Sequence, residues 1–161
     1  MSLITPELIA ILKDHFMLDW SGDHGAPHWA RVKHNGVALA NTTGAQVRVV
    51  EAFAFMHDSC RENEYTDPEH GLRAADFARH LVRRNKLQLE KDELELLVRA
   101  CEGHSNGGMI EDITVCTCWD ADRLDLGRVG IKPDPKYLCT ETAKHPVFIE
   151  LAYQRSLRNR A

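Results

Sequence analysis

The sequence of 161 residues predicts an all-α protein, a single-domain helical bundle of about seven helices. Apolar residues recur at intervals of three and four along most of the chain, which is the period of an amphipathic helix. Proline preceded by a capping residue, a signal for a helix start, stands before several of these stripes. Connections are short, and no repeat or linker divides the chain, so we expect one domain over residues 1–161.

The first three helices follow from local signals. Thr5 as N-cap and Pro6 at the first helical position predict a helix over "TPELIAILKDHFMLDW". After the interruption "SGDHGAP", a second helix is predicted from about Pro27 to Asn41. The third lies within "TTGAQVRVVEAFAFMHD", where the apolar spacing places His57 on the side that faces the core.

Four further helices complete the bundle. "YTDPEHGLRAADFARHLVRRN" opens with Asp67 as the predicted cap before Pro68, and "QLEKDELELLVRACEGH" carries an apolar stripe that ends at Cys101. Another helix spans roughly Ile113 to Leu126, and the last begins at Pro146 in "HPVFIELAYQRSLRN". Buried strands are the alternative for "VVEAFAF" and "DITVCTCW".

Composition narrows the functional classes. The formal net charge is −4 and 27% of the residues are charged, which argues against nucleic acid as an obligate partner. No apolar run approaches the roughly 18 to 20 residues of a membrane-spanning helix, and no secretory signal is apparent at the N-terminus. We therefore expect a cytoplasmic protein without a membrane partner. The sequence carries no mark of its oligomeric state.

The five cysteines are odd in number and irregularly spaced, which is typical of small buried hydrophobic residues in a reducing compartment. Cys116 and Cys118 form a C-x-C pair. Zinc sites use C-x-x-C, so we expect no metal at this pair.

Inward-facing polar residues gather near the ends of the predicted helices: His28, the adjacent His57 and Asp58, His70, His104, and the pair Asp120 and Asp122. An uncompensated buried charge costs several kcal/mol or more. Imidazoles and carboxylates are the ligands of divalent manganese, iron, cobalt, nickel and zinc, so a metal ion would neutralise the cluster. Asp58 has two oxygens and could bridge to a second ion bound by His70 and His104. The alternative is a set of helix caps and core hydrogen bonds.

The order His28, His57–Asp58, Asp122 on successive helices resembles the HD-domain superfamily of metal-dependent phosphohydrolases. "HWARV" resembles the H-x-x-R-V form in which the first ligand of that superfamily often occurs. "HDSCREN", "DPEHGLRAADFA" and "CWDADRLDLGRVGIKPDP" are similar to segments of a small bacterial HD branch without an assigned activity. The resemblance covers about Pro27 to Thr142.

The resemblance implies one or two divalent transition-metal ions, with magnesium as an option for one of them. By the family pattern the first ion is held by four residues: His28, His57, Asp58 and Asp122. His70 and His104 correspond to the extra histidines of dinuclear members. Asp120 competes with Asp122, but an Asp followed by a basic residue and Leu is the usual ligand. Asp58 and Asp120 are then the expected catalytic carboxylates, with Asp120 behind the ligands.

Two departures from the patterns of other HD branches restrict the range of substrates that the resemblance implies. "GHSNGG" has a single histidine, and no Gly-Tyr-Pro follows, unlike the branch that cleaves cyclic di-guanylate. The lid and cap insertions of the larger nucleotide triphosphohydrolases are also missing. The resemblance therefore implies hydrolysis of a nucleotide or another small phosphate ester in a fairly open site, by water that the metal has acidified.

Cations near the motifs are candidates for orienting phosphate: Arg31, Arg61, Arg123, Arg128 and Lys132. Solvated helix-end charges and salt bridges are the alternative for each. The remaining histidines are assigned to the surface or to packing: His15, His24, His34, His80 and His145. Two other functions stay open, namely a nucleotide-binding sensory module without catalysis and a di-iron oxidative enzyme.

Overall fold

The computed structural model describes residues 2–109 and 111–158, and within them the chain is all-helical, as predicted. No β-strand occurs in these residues, so the strand alternative for "VVEAFAF" and for the described part of "DITVCTCW" is wrong. Two short 3-10 helices lie at Leu126–Val129 and Pro135–Tyr137. The α-helices of the described residues are α1 (Pro6–His15), α2 (Ala26–Thr43), α3 (Val47–Met56), α4 (His70–Arg83), α5 (Lys91–Gly103), α6 (Ile113–Arg123), α7 (Glu141–Lys144) and α8 (Pro146–Leu157).

Helix α1 begins where the sequence predicts and ends earlier. The Thr5 side chain accepts a hydrogen bond from the Leu8 N–H at 3.1 Å, which is an N-cap. At Phe16 the backbone becomes extended, with ψ 127°. The rings of Phe16 and Trp20 then pack edge-on against Trp29, each with a centroid separation of 5.2 Å. This aromatic packing replaces the last predicted turn.

The predicted cap at Asp67 is wrong. Helix α4 begins at His70, and its N-cap residue is Glu69. The Asp67 carboxylate instead accepts hydrogen bonds from the Glu62 backbone N–H at 2.8 Å and from Arg73 at 2.6 Å. The Asp67 backbone carbonyl accepts from the His70 ring at 2.5 Å. Asp67 therefore anchors the loop in front of the helix and orients its first residue.

Helix α6 ends at Arg123, three residues before the predicted end. The chain turns at Asp125, whose fully buried carboxylate lies against His28 and Arg31. A continuous helix would not present this carboxylate in the same way, so a tertiary contact decides the end of α6.

Helix α3 lies at the centre of the bundle. It contacts α2, α4, α5 and α6, and its residues Val49, Val50, Phe53, Ala54 and Met56 have no exposed surface. Burial on so many sides explains why its sequence reads as a nearly continuous apolar run. A smaller apolar cluster joins the end of α6 to α7 and α8: Leu39, Leu124, Leu138, Ala143, Ile149 and Ala152.

All five cysteines are free thiols, and four of them are buried, as the sequence predicts. Among the residues described, no helix combines the length and the apolar character that crossing a lipid bilayer requires.

Replacement of Gly36 by alanine tests the packing of α2 against α3. A Cβ at this position would lie 2.3 Å from Cγ1 of Val50. Overpacking costs about 1–3 kcal/mol, which exceeds the ~1 kcal/mol that alanine gains over glycine in a helix. We expect Gly36→Ala to lower the free energy of unfolding in urea denaturation.

Val50→Ala provides the control because it removes the methyl group that clashes. In a double-mutant cycle, Gly36→Ala should cost less in the Val50→Ala background than in the wild type. Equal costs in both backgrounds would contradict the close approach of the two helices.

Candidate metal centre

Six side chains meet where the ends of five helices converge. His28 lies in the first turn of α2, His57 and Asp58 follow α3, His70 begins α4, His104 follows α5, and Asp122 lies in the last turn of α6. All six were predicted from the sequence as metal ligands. Five of them are buried, and 15% of the Asp122 side-chain surface is exposed.

The first group of donor atoms surrounds one oxygen of Asp58. The Nε2 atoms of His28 and His57 lie 3.0 Å from each other. Each of them lies 3.5 Å from Asp58 Oδ2. Asp122 Oδ1 lies 3.2 Å from His28 Nε2 and 3.5 Å from His57 Nε2, on the same centre.

The second group surrounds the other oxygen of the same carboxylate. The Nε2 atoms of His70 and His104 lie 2.8 Å apart. They lie 3.2 Å and 3.5 Å from Asp58 Oδ1. Asp58 therefore stands between two pairs of imidazoles and turns one oxygen toward each pair.

Backbone carbonyls decide how three of the rings are oriented. His57 Nδ1 donates to the Phe53 carbonyl at 3.0 Å, and His104 Nδ1 donates to the Cys101 carbonyl at 2.7 Å. His70 Nδ1 donates to the Asp67 carbonyl. A carbonyl oxygen only accepts, so these Nδ1 atoms carry the proton, and in the neutral ring the lone pair of Nε2 points into the cluster.

The donor set fits metal ions. Imidazole nitrogen and carboxylate oxygen are the mixed ligands of borderline divalent metals. Two ligands that each lie about 2.1 Å from one ion are separated by about 3.0 to 3.4 Å. The separations within each group, from 2.8 to 3.5 Å, are close to this range. His28, His57 and Asp58 form one group that could hold an ion, and Asp58, His70 and His104 form another.

The pKa shifts of the clustered residues indicate that positive charge stabilises the cluster. Burial and the charge of Arg128 lower the pKa of His28, but hydrogen bonds with Asp122, Asp125 and Asp58 outweigh them and raise it to about 9. Burial would raise the pKa of Asp58 and Asp122, yet the neighbouring histidines, His57 first, bring both well below the usual range. A proton on His28 thus supplies part of the charge that a metal ion would supply.

Two residues that support the cluster escaped the sequence analysis. Asp125 Oδ2 lies 2.7 Å from His28 Nδ1, and its other oxygen accepts from Arg31 Nε at 2.7 Å. His24 Nδ1 lies 3.3 Å from Asp58 Oδ2, and the residue is buried. The assignment of His24 to the surface or to unrelated packing is therefore wrong. Their signals were the spacing of three from Asp122 to Asp125 and of four from His24 to His28.

Asp120 does not act as a partner of the cluster. Its carboxylate accepts hydrogen bonds from the backbone N–H groups of Cys139 and Thr140 at 2.7 and 2.8 Å. The Thr140 hydroxyl donates to the same carboxylate at 2.7 Å. Asp120 therefore fastens the segment that follows α6 to the core, and these contacts do not support its predicted catalytic role.

Of the five predicted phosphate ligands, Arg61 lies nearest to a metal-binding carboxylate. Its Nε is buried without a hydrogen-bond partner among the described residues and lies 3.6 Å from Asp58 Oδ1. Arg31 is held by Asp125, and Arg128 donates to the backbone carbonyls of Asp23 and Asp125.

The other two cations are engaged elsewhere. Arg123 donates to the carbonyls of Gly108 and Tyr137, and Lys132 forms an exposed ion pair with Glu150 at 2.6 Å. The predicted role of Lys132 in phosphate binding is therefore not supported by its contacts.

Comparison of the chain with protein-family models, with curated proteins and with solved structures finds no match. The HD resemblance accordingly stays a prediction from the motifs. The geometry establishes a buried cluster of histidines and aspartates that could hold metal ions and is compatible with a metal-dependent enzyme.

The number of metal ions bound per chain should distinguish the roles of Asp58 and Asp122. We expect about two divalent ions per chain at saturation. Asp58→Asn should reduce both because this carboxylate faces both groups, whereas Asp122→Asn should weaken one. Elemental analysis after dialysis, with calorimetric titration of Mn²⁺, measures the effect.

Asp120→Asn is the matched control. An asparagine presents N–H groups to the donors of Cys139 and Thr140, so we expect a loss of about 1–3 kcal/mol in unfolding free energy. Its metal stoichiometry should equal that of the wild type. A loss of metal in the folded Asp120→Asn protein would contradict the assignment.

Metal affinity should rise with pH. The metal-free protein holds a proton on His28 below pH 9, and a cation must displace it. Because the aspartates are already ionised, His28 alone should strengthen binding by up to about tenfold per pH unit between about pH 6 and 8. Titration in buffers of different ionisation enthalpy counts the protons released. An affinity that does not change with pH would contradict the raised pKa.

Proposed function

We propose that this protein is a divalent-metal-dependent phosphohydrolase of the HD type that acts on a nucleotide or another small phosphate ester. The observation that carries the proposal is the position of Asp58, one carboxylate shared between two pairs of imidazole nitrogens. Two adjacent positions for divalent ions, joined by one bridging ligand, are the arrangement used for in-line displacement at phosphorus. The order of the ligand motifs in the sequence supports the same family.

The residues of the cluster have defined parts in this proposal. Asp122, which is the most exposed of the six ligands, stands at the open side of the first group, where a substrate would enter. Divalent ions bound here would acidify a water molecule for attack on phosphorus and offset the developing negative charge. Asp125 keeps the His28 ring in place through Nδ1, so its Nε2 stays directed at the centre.

Arg61 is the residue proposed to contact the phosphate group. Its guanidinium lies beside the Asp58 oxygen of the second group. Its Nη1 is held by the backbone carbonyls of Asn63 and Tyr65, which leaves the buried Nε without a partner among the described residues. An unpaired buried donor is costly, and a phosphate oxygen would satisfy it.

The direct test is phosphate release. The protein loaded with Mn²⁺, Co²⁺, Ni²⁺, Zn²⁺ or Fe²⁺ is assayed on a panel of nucleotides and small phosphate esters by colorimetric detection of phosphate. We expect turnover of at least one compound, and His57→Ala should lower kcat at least about a hundredfold. Two bound ions with no phosphate release from any compound would contradict the proposal. Bound iron with a mixed-valence signal and oxygen uptake would favour the oxidative alternative.

Arg61 variants test the contact with phosphate. Arg61→Gln should raise KM by about tenfold or more because a charged hydrogen bond is lost. Arg61→Lys should recover part of the loss because it keeps the charge. Arg84→Gln is the matched control, since Arg84 is exposed at the end of α4. Equal KM values for Arg61→Gln and Arg84→Gln would contradict a contact between Arg61 and the phosphate.

A further inference from the structure

A cleft of about 250 Å³ opens beside the metal centre and shares His104 with it. The His104 ring binds in the second group through Nε2, and the same residue forms one end of the cleft. The loop after α5 and the segment from 126 to 138 supply the other walls. The cleft is therefore a candidate for the organic part of a molecule whose phosphate lies at the candidate metal centre.

The lining of the cleft is largely apolar. Leu126, Pro133 and Leu138 line it, and Pro133 and Leu138 are buried. Tyr137 lines the cleft with 59% of its surface exposed, and the Lys136 ammonium lies 5.0 Å from the centre of its ring, so a ligand ring would share this tyrosine with the ammonium. Such a surface favours a flat apolar group, because aromatic rings gain from stacking in addition to the burial of area.

Arg123 holds the two sides of the cleft together. Its guanidinium donates to the Gly108 carbonyl at 2.7 Å on one side and to the Tyr137 carbonyl at 3.0 Å on the other. The same guanidinium lies 5.5 Å from the centre of the Trp119 ring. These contacts make the cleft a pre-formed feature and reduce the entropy that a ligand must offset on binding.

The charges of the cleft argue against a second phosphate there. The guanidinium of Arg123 is already engaged by two carbonyls, and the exposed Asp134 at the rim is paired with Lys136 at 3.8 Å. The residues that line the cleft therefore offer a second phosphate no cation that is not already engaged. The volume is also below the roughly 300–1,000 Å³ of sites for drug-sized ligands, which suits one ring.

We infer that the cleft between His104 and Tyr137 binds the organic group of the substrate, and that this group is a single flat ring on a phosphate monoester. The inference rests on the proposed function for the position of the phosphate. It adds a selectivity that the metal centre alone does not have, because the metal centre contacts only the phosphate.

Benzyl phosphate and methyl phosphate test the inference, since their alcohols are similar leaving groups and only one carries a ring. Binding of each to the Mn²⁺-loaded protein is measured by calorimetry, and phosphate release is followed in parallel. We expect benzyl phosphate to bind at least about threefold more tightly than methyl phosphate. Tyr137→Ala should lower this ratio at least about twofold, toward a value of one, because an aromatic contact is lost. Elemental analysis confirms that the variant retains its metal.

Tyr65→Ala is the matched control because Tyr65 is a tyrosine with 87% of its surface exposed and does not line the cleft. Its ratio of the two affinities should equal the wild-type ratio. Equal affinities of the wild type for the two esters, or a ratio unchanged by Tyr137→Ala, would overturn the inference. Selective binding of benzyl phosphate without phosphate release would support the cleft while contradicting the hydrolase.

Discussion

The structure depends on one buried carboxylate. Asp58 is 3% exposed and turns its two oxygens toward two pairs of imidazole nitrogens. A charge removed from water in this way is tolerated only when opposite charge and hydrogen bonds replace the water. Since backbone carbonyls hold the protons of three rings at Nδ1, the nitrogens that face Asp58 present lone pairs unless a cation is added. The place where the ends of five helices meet is therefore one that a proton or a metal ion would stabilise.

Helix ends supply both the ligands and their orientation. The last carbonyls of a helix lack partners within the helix, and they accept from side chains instead. Phe53 lies in the last turn of α3 and Cys101 in the last turn of α5, and each of their carbonyls accepts a hydrogen bond from the ring of the next candidate ligand histidine. The Phe53 carbonyl accepts from the His57 backbone N–H as well. A histidine just beyond a helix end can thus satisfy the backbone and direct its other nitrogen inward. Central α3 makes this possible by bringing residues 57 and 58 into the middle of the bundle.

The errors of the sequence analysis share one cause. Asp67 precedes a proline, which is a pattern typical of a helix cap. Its carboxylate instead accepts hydrogen bonds from Arg73, six residues later in α4. His24 belongs to the loop before α2, so its spacing of four from His28 does not by itself direct it to Asp58, 34 residues later. Asp125 lies beyond the point where α6 stops, and its partner His28 is 97 residues distant. Local patterns describe the periodicity of single helices, whereas the contacts of His24 and Asp125 join distant segments and that of Asp67 depends on how its loop turns back onto α4.

The sequence by itself determined the helical class, because the spacing of apolar residues is a property of each segment alone. It also determined the chemistry of the candidate ligands, since histidines and aspartates near predicted helix ends can be recognised before the tertiary structure is known. The resemblance favoured Asp122 over Asp120, and only the tertiary structure showed which of the two faces the histidines. Two residues apart on a helix differ by about 200° in direction, so they face nearly opposite sides. Packing of α6 turned Asp122 toward the histidines and Asp120 toward Thr140, and no local pattern specifies that rotation.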